Sequence, residues 1–442
     1  MELERVKKVF RVAVPLMVQG LVFQLQSLTD KAFLGNLDTR YVSAAGAAGM
    51  PYVATVDSMA AISTGLVILV SRLFGAKKKD EIPEYVKSTA LYNSILGAVV
   101  FSLLYFGAQA ILGFFQIDKE IIGYSISYLK ICSLYLLFVG MDSALQAMLH
   151  GMGETKPIMY AGILKVGLNI FLSWILIFGE FGLPALNVTG AAIGTICANV
   201  LSFLFILSYC LCFKRELRLN KWGRKWCSVR AYIKVIRLGI PVGMEYLLWN
   251  ASNLLLVRFI NGFSYQDMAI YTLTLGFQSL IYVIFEGTSK GALSLMGQSI
   301  GAGDRKAANS FFYTSIMINF LIVAIAAICF FGVPKPLLGI FSNDWEIIER
   351  GAPFLGWIGI IMFPQSMNII CGNAIRANGN TKWMLFSQIF GSVFVVTSSW
   401  IFINQLHLTM TAVYITLFLD ETLRGGINFL YYRKKYGVQK SK

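Results

Sequence analysis

The chain carries the same pattern twice. His150-Gly-Met-Gly-Glu-Thr-Lys156 returns as Arg376-Ala-Asn-Gly-Asn-Thr-Lys382, an offset of 226 residues. The same offset, without a gap, pairs Arg11 with Arg237, Pro15 with Pro241 and Phe33 with Phe259. It also pairs Gly65 with Gly291, Gly75-Ala76 with Gly301-Ala302, and Ser173-Trp174 with Ser399-Trp400. A gapless offset over most of a chain argues for two similar halves, each a fold unit, packed against each other. In a membrane protein that arrangement usually builds a transporter, with the substrate path at the repeat interface.

Composition supplies the membrane. Of 442 residues, 56% are hydrophobic and only 14% charged, too little charge to cover a soluble surface of this size. Apolar runs such as Ile95 to Ile117, Leu201 to Phe213, Ile316 to Val333 and Phe354 to Phe363 recur along the chain, so the bilayer is the solvent. Twelve spans are expected, at about 11–37, 45–75, 88–115, 121–149, 157–179, 187–213, 233–262, 267–301, 308–334, 347–377, 383–405 and 408–432. The charged stretch Glu2 to Arg11 runs straight into the first, which is expected to stay as a span. The fold class is all-α and integral to the membrane. Two six-helix lobes, 1–213 and 233–442, are expected about a pseudo-two-fold along the membrane normal, joined by a basic cytoplasmic linker at 214–232.

The net charge of +15 follows from topology. With the N-terminus cytoplasmic, the outside loops and flanks hold only Arg40, Lys119, Lys335 and Arg350 among Lys and Arg, the inside bias of a membrane protein. Both termini are then cytoplasmic, in the plasma (inner) membrane. The basic stretch Lys214 to Arg237 suits anionic lipid, and the partner is the lipid bilayer, with no nucleic acid. Six of the seven cysteines fall inside spans, and His150 and His407 are the only histidines, so no zinc or redox spacing arises. No phosphate-binding Gly-Lys-Thr/Ser loop and no histidine cluster occurs, so no enzyme signature and no ATP-driven pump is read. Energy must come from an ion gradient, or transport must run downhill.

Ionisable groups inside a span cost a few kcal/mol each and mark function by default. Leaving aside the outermost turns, the acids are Asp30, Asp57, Asp142, Glu245, Glu286, Asp420 and Glu421, and the bases Lys31, Lys130, Lys165, Arg258, Lys290 and Arg424. Arg258, Arg424 and Lys130 are near enough to span ends to snorkel. Gln19, Gln26 and Asp30 form one polar stripe on an apolar helix. Asp30 lies about 28 Å along that helix from Arg11. It is expected to carry a proton, to hold sodium with other oxygens, or to pair with a lysine such as Lys165. Glu245 follows Pro241 by one turn on a stripe with Trp249 and Ser252, and an acid beside an aromatic suits an organic cation. Glu286 and Lys290 stand in the favourable order for an i,i+4 pair, which serves equally as a neutral pair or a proton relay. Asp57 and Asp142 are further candidates to line the path. Asp420 and Glu421 are expected to pair structurally with Arg424.

These motifs resemble the multidrug and toxic compound extrusion (MATE) family of twelve-helix secondary transporters. The resemblance rests on the first span with Asp30 and Phe33-Leu-Gly-Asn-Leu37, and on the Gly151-x-Gly-Glu-Thr-Lys156 loop. It rests also on Phe178-Gly-x-x-Gly182-x-Pro184 followed by Gly190-Ala-Ala-Ile-Gly-Thr195, and on the turn Gly297-Gln-x-x-Gly-Ala-Gly303. Each motif alone is weak; their order and spacing over nearly the whole chain make them specific together. The resemblance implies export of organic cations, drugs or amphiphiles by Na⁺ or H⁺ antiport and alternating access, with no tightly bound cofactor. It also implies a coupling site at Asp30, Asn169, Ser173 and Thr195, of which Asp30, Asn169 and Thr195 would hold Na⁺. Ser173 departs from the family, replacing a second carboxylate with a hydroxyl. The remaining path residues are Gln26, Asp57, Asp142, Glu245, Trp249, Glu286 and Lys290, and the chain is expected to work as a monomer. The runner-up is a lipid-linked oligosaccharide flippase of the related superfamily, whose cationic cavity the acidic candidates here do not match. Aligned at 226, no buried acid is duplicated: Asp30 faces Leu256, Asp57 faces Val283, Asp142 faces Asn368 and Glu245 faces Gln19.

Overall fold

The structure, a computed structural model, describes residues 2–114, 120–214, 227–260 and 262–437. Most of the expected linker therefore lies outside the described residues, as do Lys119 and the side chain of Lys31. The described residues form helices joined by short turns. They are α1 (Glu2–Gly35), α2 (Thr39–Gly75), α3 (Ile82–Phe106), α4 (Ala108–Phe114), α5 (Ile122–Ser133), α6 (Leu136–Gly151), α7 (Lys156–Phe178) and α8 (Asn187–Phe213). The second half gives α9 (Val229–Ile260), α10 (Tyr265–Gly301), α11 (Arg305–Gly332), α12 (Pro334–Leu338), α13 (Trp345–Ala377), α14 (Thr381–Asn404) and α15 (Met410–Tyr436).

Nine of the helices are long and apolar enough to cross a bilayer, and α5 with α6 make a tenth as a pair bent by 46°. Adding α9 and α15, which are long enough but carry more charge, completes the twelve expected spans. Two spans are thus less regular than expected. The fourth breaks at Leu134–Tyr135, and the third breaks at Gly107, whose N–H still reaches Leu103 O.

The chain divides into two compact units, Val18–Gly243 and Met1–Met17 with Met244–Lys442. We call them the N-unit and the C-unit. The units do not follow the chain halves at 1–213 and 233–442: α1 and α9 are each shared, and their dividing points, Met17 and Gly243, lie 226 residues apart. Glycines explain the close crossings that bring this about. Within the N-unit, a Cβ at Gly65 of α2 would meet Val235 O of α9 at 2.2 Å, and one at Gly239 would meet Ile62 O at 2.0 Å. Within the C-unit, a Cβ at Gly291 of α10 would meet Ala13 N of α1 at 3.2 Å. Gly65 and Gly291, and Ala13 and Gly239, are repeat mates, so one small-residue crossing is built twice. Gly65→Ala should lower stability by about 1–3 kcal/mol in thermal unfolding of the purified protein, and Gly291→Ala by clearly less.

The most visible repeat motif is also structural. Gly153 (φ 77°) and Gly379 (φ 76°) are left-handed and close α6 and α13. In each, the glycine N–H reaches back three residues and the next N–H five: Gly153 to His150 and Glu154 to Leu149, Gly379 to Arg376 and Asn380 to Ile375. That is the double bond of a glycine-capped helix end. The motif survives in both halves because a side chain would strain it.

Candidate functional site

The N-unit gathers its charges around one lysine. Lys165 of α7 interacts electrostatically with Asp142 of α6, Asp57 of α2 and Asp30 of α1. Its ammonium lies 4.6 Å from the ring centre of Phe23 on α1, one heptad before Asp30 and on the same helix face. One turn earlier, α7 comes close to α1 through Gly162, where a Cβ would meet Gln19 Cγ at 2.8 Å. As first and fifth spans, α1 and α7 cross in the same direction. The next turns therefore carry Asn169 toward the level of Gln26, and Ser173 toward that of Asp30.

The oxygens at this level are incompletely used. Gln26 stands one turn before Asp30 on α1 and interacts with its carboxylate, yet Asp30 Oδ1 is buried with no hydrogen-bond partner. Asn169 Nδ2 donates to Thr195 Oγ1 of α8 at 3.1 Å, leaving Asn169 Oδ1 and Ser173 Oγ buried and unpartnered. Gly194 lets α8 approach, since a Cβ there would sit 2.7 Å from Ser173 Oγ. Buried acceptors without donors are costly, and a site for a proton or a small cation is one way such a cost is met. Asp142 Oδ1 is likewise buried without a partner, but its other oxygen is held: Tyr135 Oη donates to Asp142 Oδ2 at 2.5 Å and Gln146 Nε2 to the same oxygen at 2.9 Å. Tyr135 stands at the α5–α6 break, so the bend places its phenol against the acid. Asp57 lies on an exposed face of α2 with Met50 and Val53.

The C-unit holds a larger polar network with its charges already paired. Glu245 of α9 is ion-paired to Arg376 of α13, and Trp249 is half exposed. The acid-and-aromatic wall expected from sequence is therefore altered: the Glu245 carboxylate faces a guanidinium. Arg424 does not snorkel. It is buried in α15 and donates to Asp420 at 2.9 and 2.6 Å and to Gln388 of α14 at 2.8 Å. Glu421 accepts from Asn368 at 2.8 Å and Gln365 at 3.4 Å. Asn428 donates onward to Asn368 at 2.9 Å and Ser387 at 3.1 Å. Glu286 and Lys290 pair at 3.1 Å on α10, with Lys290 partly exposed.

Asp30, Gln26, Asp57, Asp142, Asn169, Ser173 and Thr195 thus fall in one unit, and Glu245, Trp249, Glu286 and Lys290 in the other. Sequence reasoning missed Arg376, Tyr135 and Asn428. Arg376 was absorbed into the turn motif, although its repeat mate His150 is not a permanent cation, and that difference was a signal. Among the described residues, no cluster of three or more His, Cys, Asp or Glu is arranged to hold a metal ion; the N-unit oxygens come mainly from amide and hydroxyl groups.

The family model MatE matches residues 15–175 and 241–401, two stretches displaced by the repeat offset. A probable multidrug resistance protein NorM from Thermotoga maritima is 24% identical over 432 residues, 96% of this chain and 92% of the relative. The multidrug export protein MepA of Staphylococcus saprophyticus is also 24% identical, over 94% of this chain and 91% of its own. Among solved structures, the outward-facing conformation of a multidrug resistance MATE family transporter superposes with a TM-score of 0.89 at 21% identity, covering 98% of this chain and 96% of that one. That likeness establishes the twelve-helix, two-lobe fold.

Proposed function

The chain belongs to the MatE family of multi-pass membrane transporters, and from that premise we propose a secondary exporter of organic cations or cationic amphiphiles, driven by proton entry through Asp30. The observation that carries the reading is the unpartnered buried oxygen of Asp30 beside a lysine shared with two further acids. An ammonium already sits among the carboxylates, and Ser173 contributes no second charge. A proton on Asp30 needs neither. Sodium coupling is the second reading, supported by the unused oxygens of Asp30, Asn169 and Ser173, since hard cations take several oxygen ligands. Three acids against one lysine leave the N-unit cluster with excess negative charge, which favours cationic cargo over pyrophosphate-linked sugars.

In this mechanism the protonated Asp30 loses its charge, and the cluster loses attraction for a cationic substrate. Deprotonation restores it, so proton and cargo each weaken the other's binding, which couples their exchange. Alternating access then turns proton entry into export. We place the protein in the plasma (inner) membrane with both termini cytoplasmic, working as a monomer. The test is proton release. Adding a lipophilic cation such as tetraphenylphosphonium to the purified protein in weakly buffered detergent solution should acidify the medium. Asp30→Asn should bind the cation without acidification. Equal acidification by both proteins would remove Asp30 from the coupling role.

A further inference from the structure

Four intramembrane cations have acidic company that Lys130 lacks among the described residues. Lys165 has three acids, Lys290 has Glu286, Arg376 has Glu245 and Arg424 has Asp420. Lys130 of α5 makes no ion pair among the described residues. It lies eight residues past the start of α5, about 12 Å along the axis, and its ammonium is 5.4 Å from the ring centre of Tyr105 on α3. An aromatic face attracts a cation but leaves its hydrogen-bond donors unused.

That ammonium lines a groove of about 480 Å³ on the N-unit, bounded by Phe101 and Tyr105 of α3, Ser127 and Ile131 of α5, Leu134 at the helix break, and Thr189 of α8. The volume is in the range of sites that hold a small molecule or headgroup. The neighbouring surface identifies what lies outside. Ile95, Val99, Leu103 and Phe106 of α3 are all exposed and recur at three- and four-residue spacing, a stripe that a membrane-spanning helix turns to lipid. The groove lies on the flank of this lipid-facing helix, with Lys130, Ser127 and Thr189 in its lining.

We infer that this groove is a binding site for the headgroup of an anionic phospholipid, its phosphate accepting hydrogen bonds from Lys130. Charge complementarity selects this occupant: an unpaired ammonium inside the bilayer is costly, and lipid phosphate is the anion available in any leaflet. Tyr105 keeps the ammonium in place by cation–π attraction while the phosphate takes the donors. The site is independent of Asp30 and of the proposed coupling.

Native mass spectrometry of the full-length protein, titrated with phosphatidylglycerol or phosphatidylcholine, tests it. The wild type should retain phosphatidylglycerol preferentially. Lys130→Gln should bind it roughly tenfold more weakly, and Lys130→Arg should restore the preference. Tyr105→Leu provides a second variant that keeps the charge and should weaken retention through loss of the ring. Unchanged retention in Lys130→Gln would overturn the proposal. So would equal competition by soluble glycerol 3-phosphate, which would make the site one for free phosphate. Displacement of phosphatidylglycerol by tetraphenylphosphonium, or a dimer forming as lipid is lost, would also overturn it, giving the groove to cargo or to a second copy.

Discussion

An Asp30→Asn protein should lose uphill export by about 100-fold or more while still exchanging cargo downhill. The magnitude is that of removing a positioned proton carrier. Asn keeps the volume and the polar neighbour Gln26, so the helix and the cluster stay intact, but the amide holds no exchangeable charge at working pH. Asp142→Asn should have a smaller effect, because Tyr135 and Gln146 already occupy one of its oxygens. The ratio of gradient-driven to downhill flux, measured in parallel for the two variants, separates a coupling residue from one that only shapes the cluster.

The second large effect is on stability. Arg424→Leu should destabilise the protein by about 3–5 kcal/mol, the cost of removing one partner from a buried ion pair. Both Asp420 and Glu421 would remain in the C-unit, and the guanidinium that contacts them at 2.6 and 3.5 Å would be gone. Neutralising all three, as Asp420→Asn, Glu421→Gln and Arg424→Gln together, should recover most of that loss, because buried charge clusters often add little beyond their isosteres. Thermal unfolding in detergent measures both. An Arg424→Leu protein as stable as the wild type would show that the network bears no structural load.

The scaffold was legible where physics restricts a position to one residue type. Gly65 and Gly291 can only be small, because a neighbouring backbone occupies the side-chain space, and Gly153 and Gly379 must be left-handed. Those constraints leave a copy in each half, so the repeat could be read without coordinates. The charges were legible as present but not as paired. Glu245 meets Arg376 across 131 residues, and nothing local in either segment announces the other. Arg424 looked close enough to a span end to snorkel, yet its fork fits Asp420 on its own helix and Gln388 on the next, so it stays inside. The break at Leu134 was invisible because Leu134 to Val139 reads as one apolar run, and the bend matters only through what it does for Tyr135.

Proton coupling at Asp30 is decided most directly by reconstitution. Purified protein in liposomes, loaded with a fluorescent organic cation, is given an inward proton gradient without sodium and, separately, an inward sodium gradient at equal pH. Uphill export should follow the proton gradient, collapse when a protonophore dissipates it, and vanish in Asp30→Asn. Export driven by sodium alone, or undiminished in Asp30→Asn, would contradict the account.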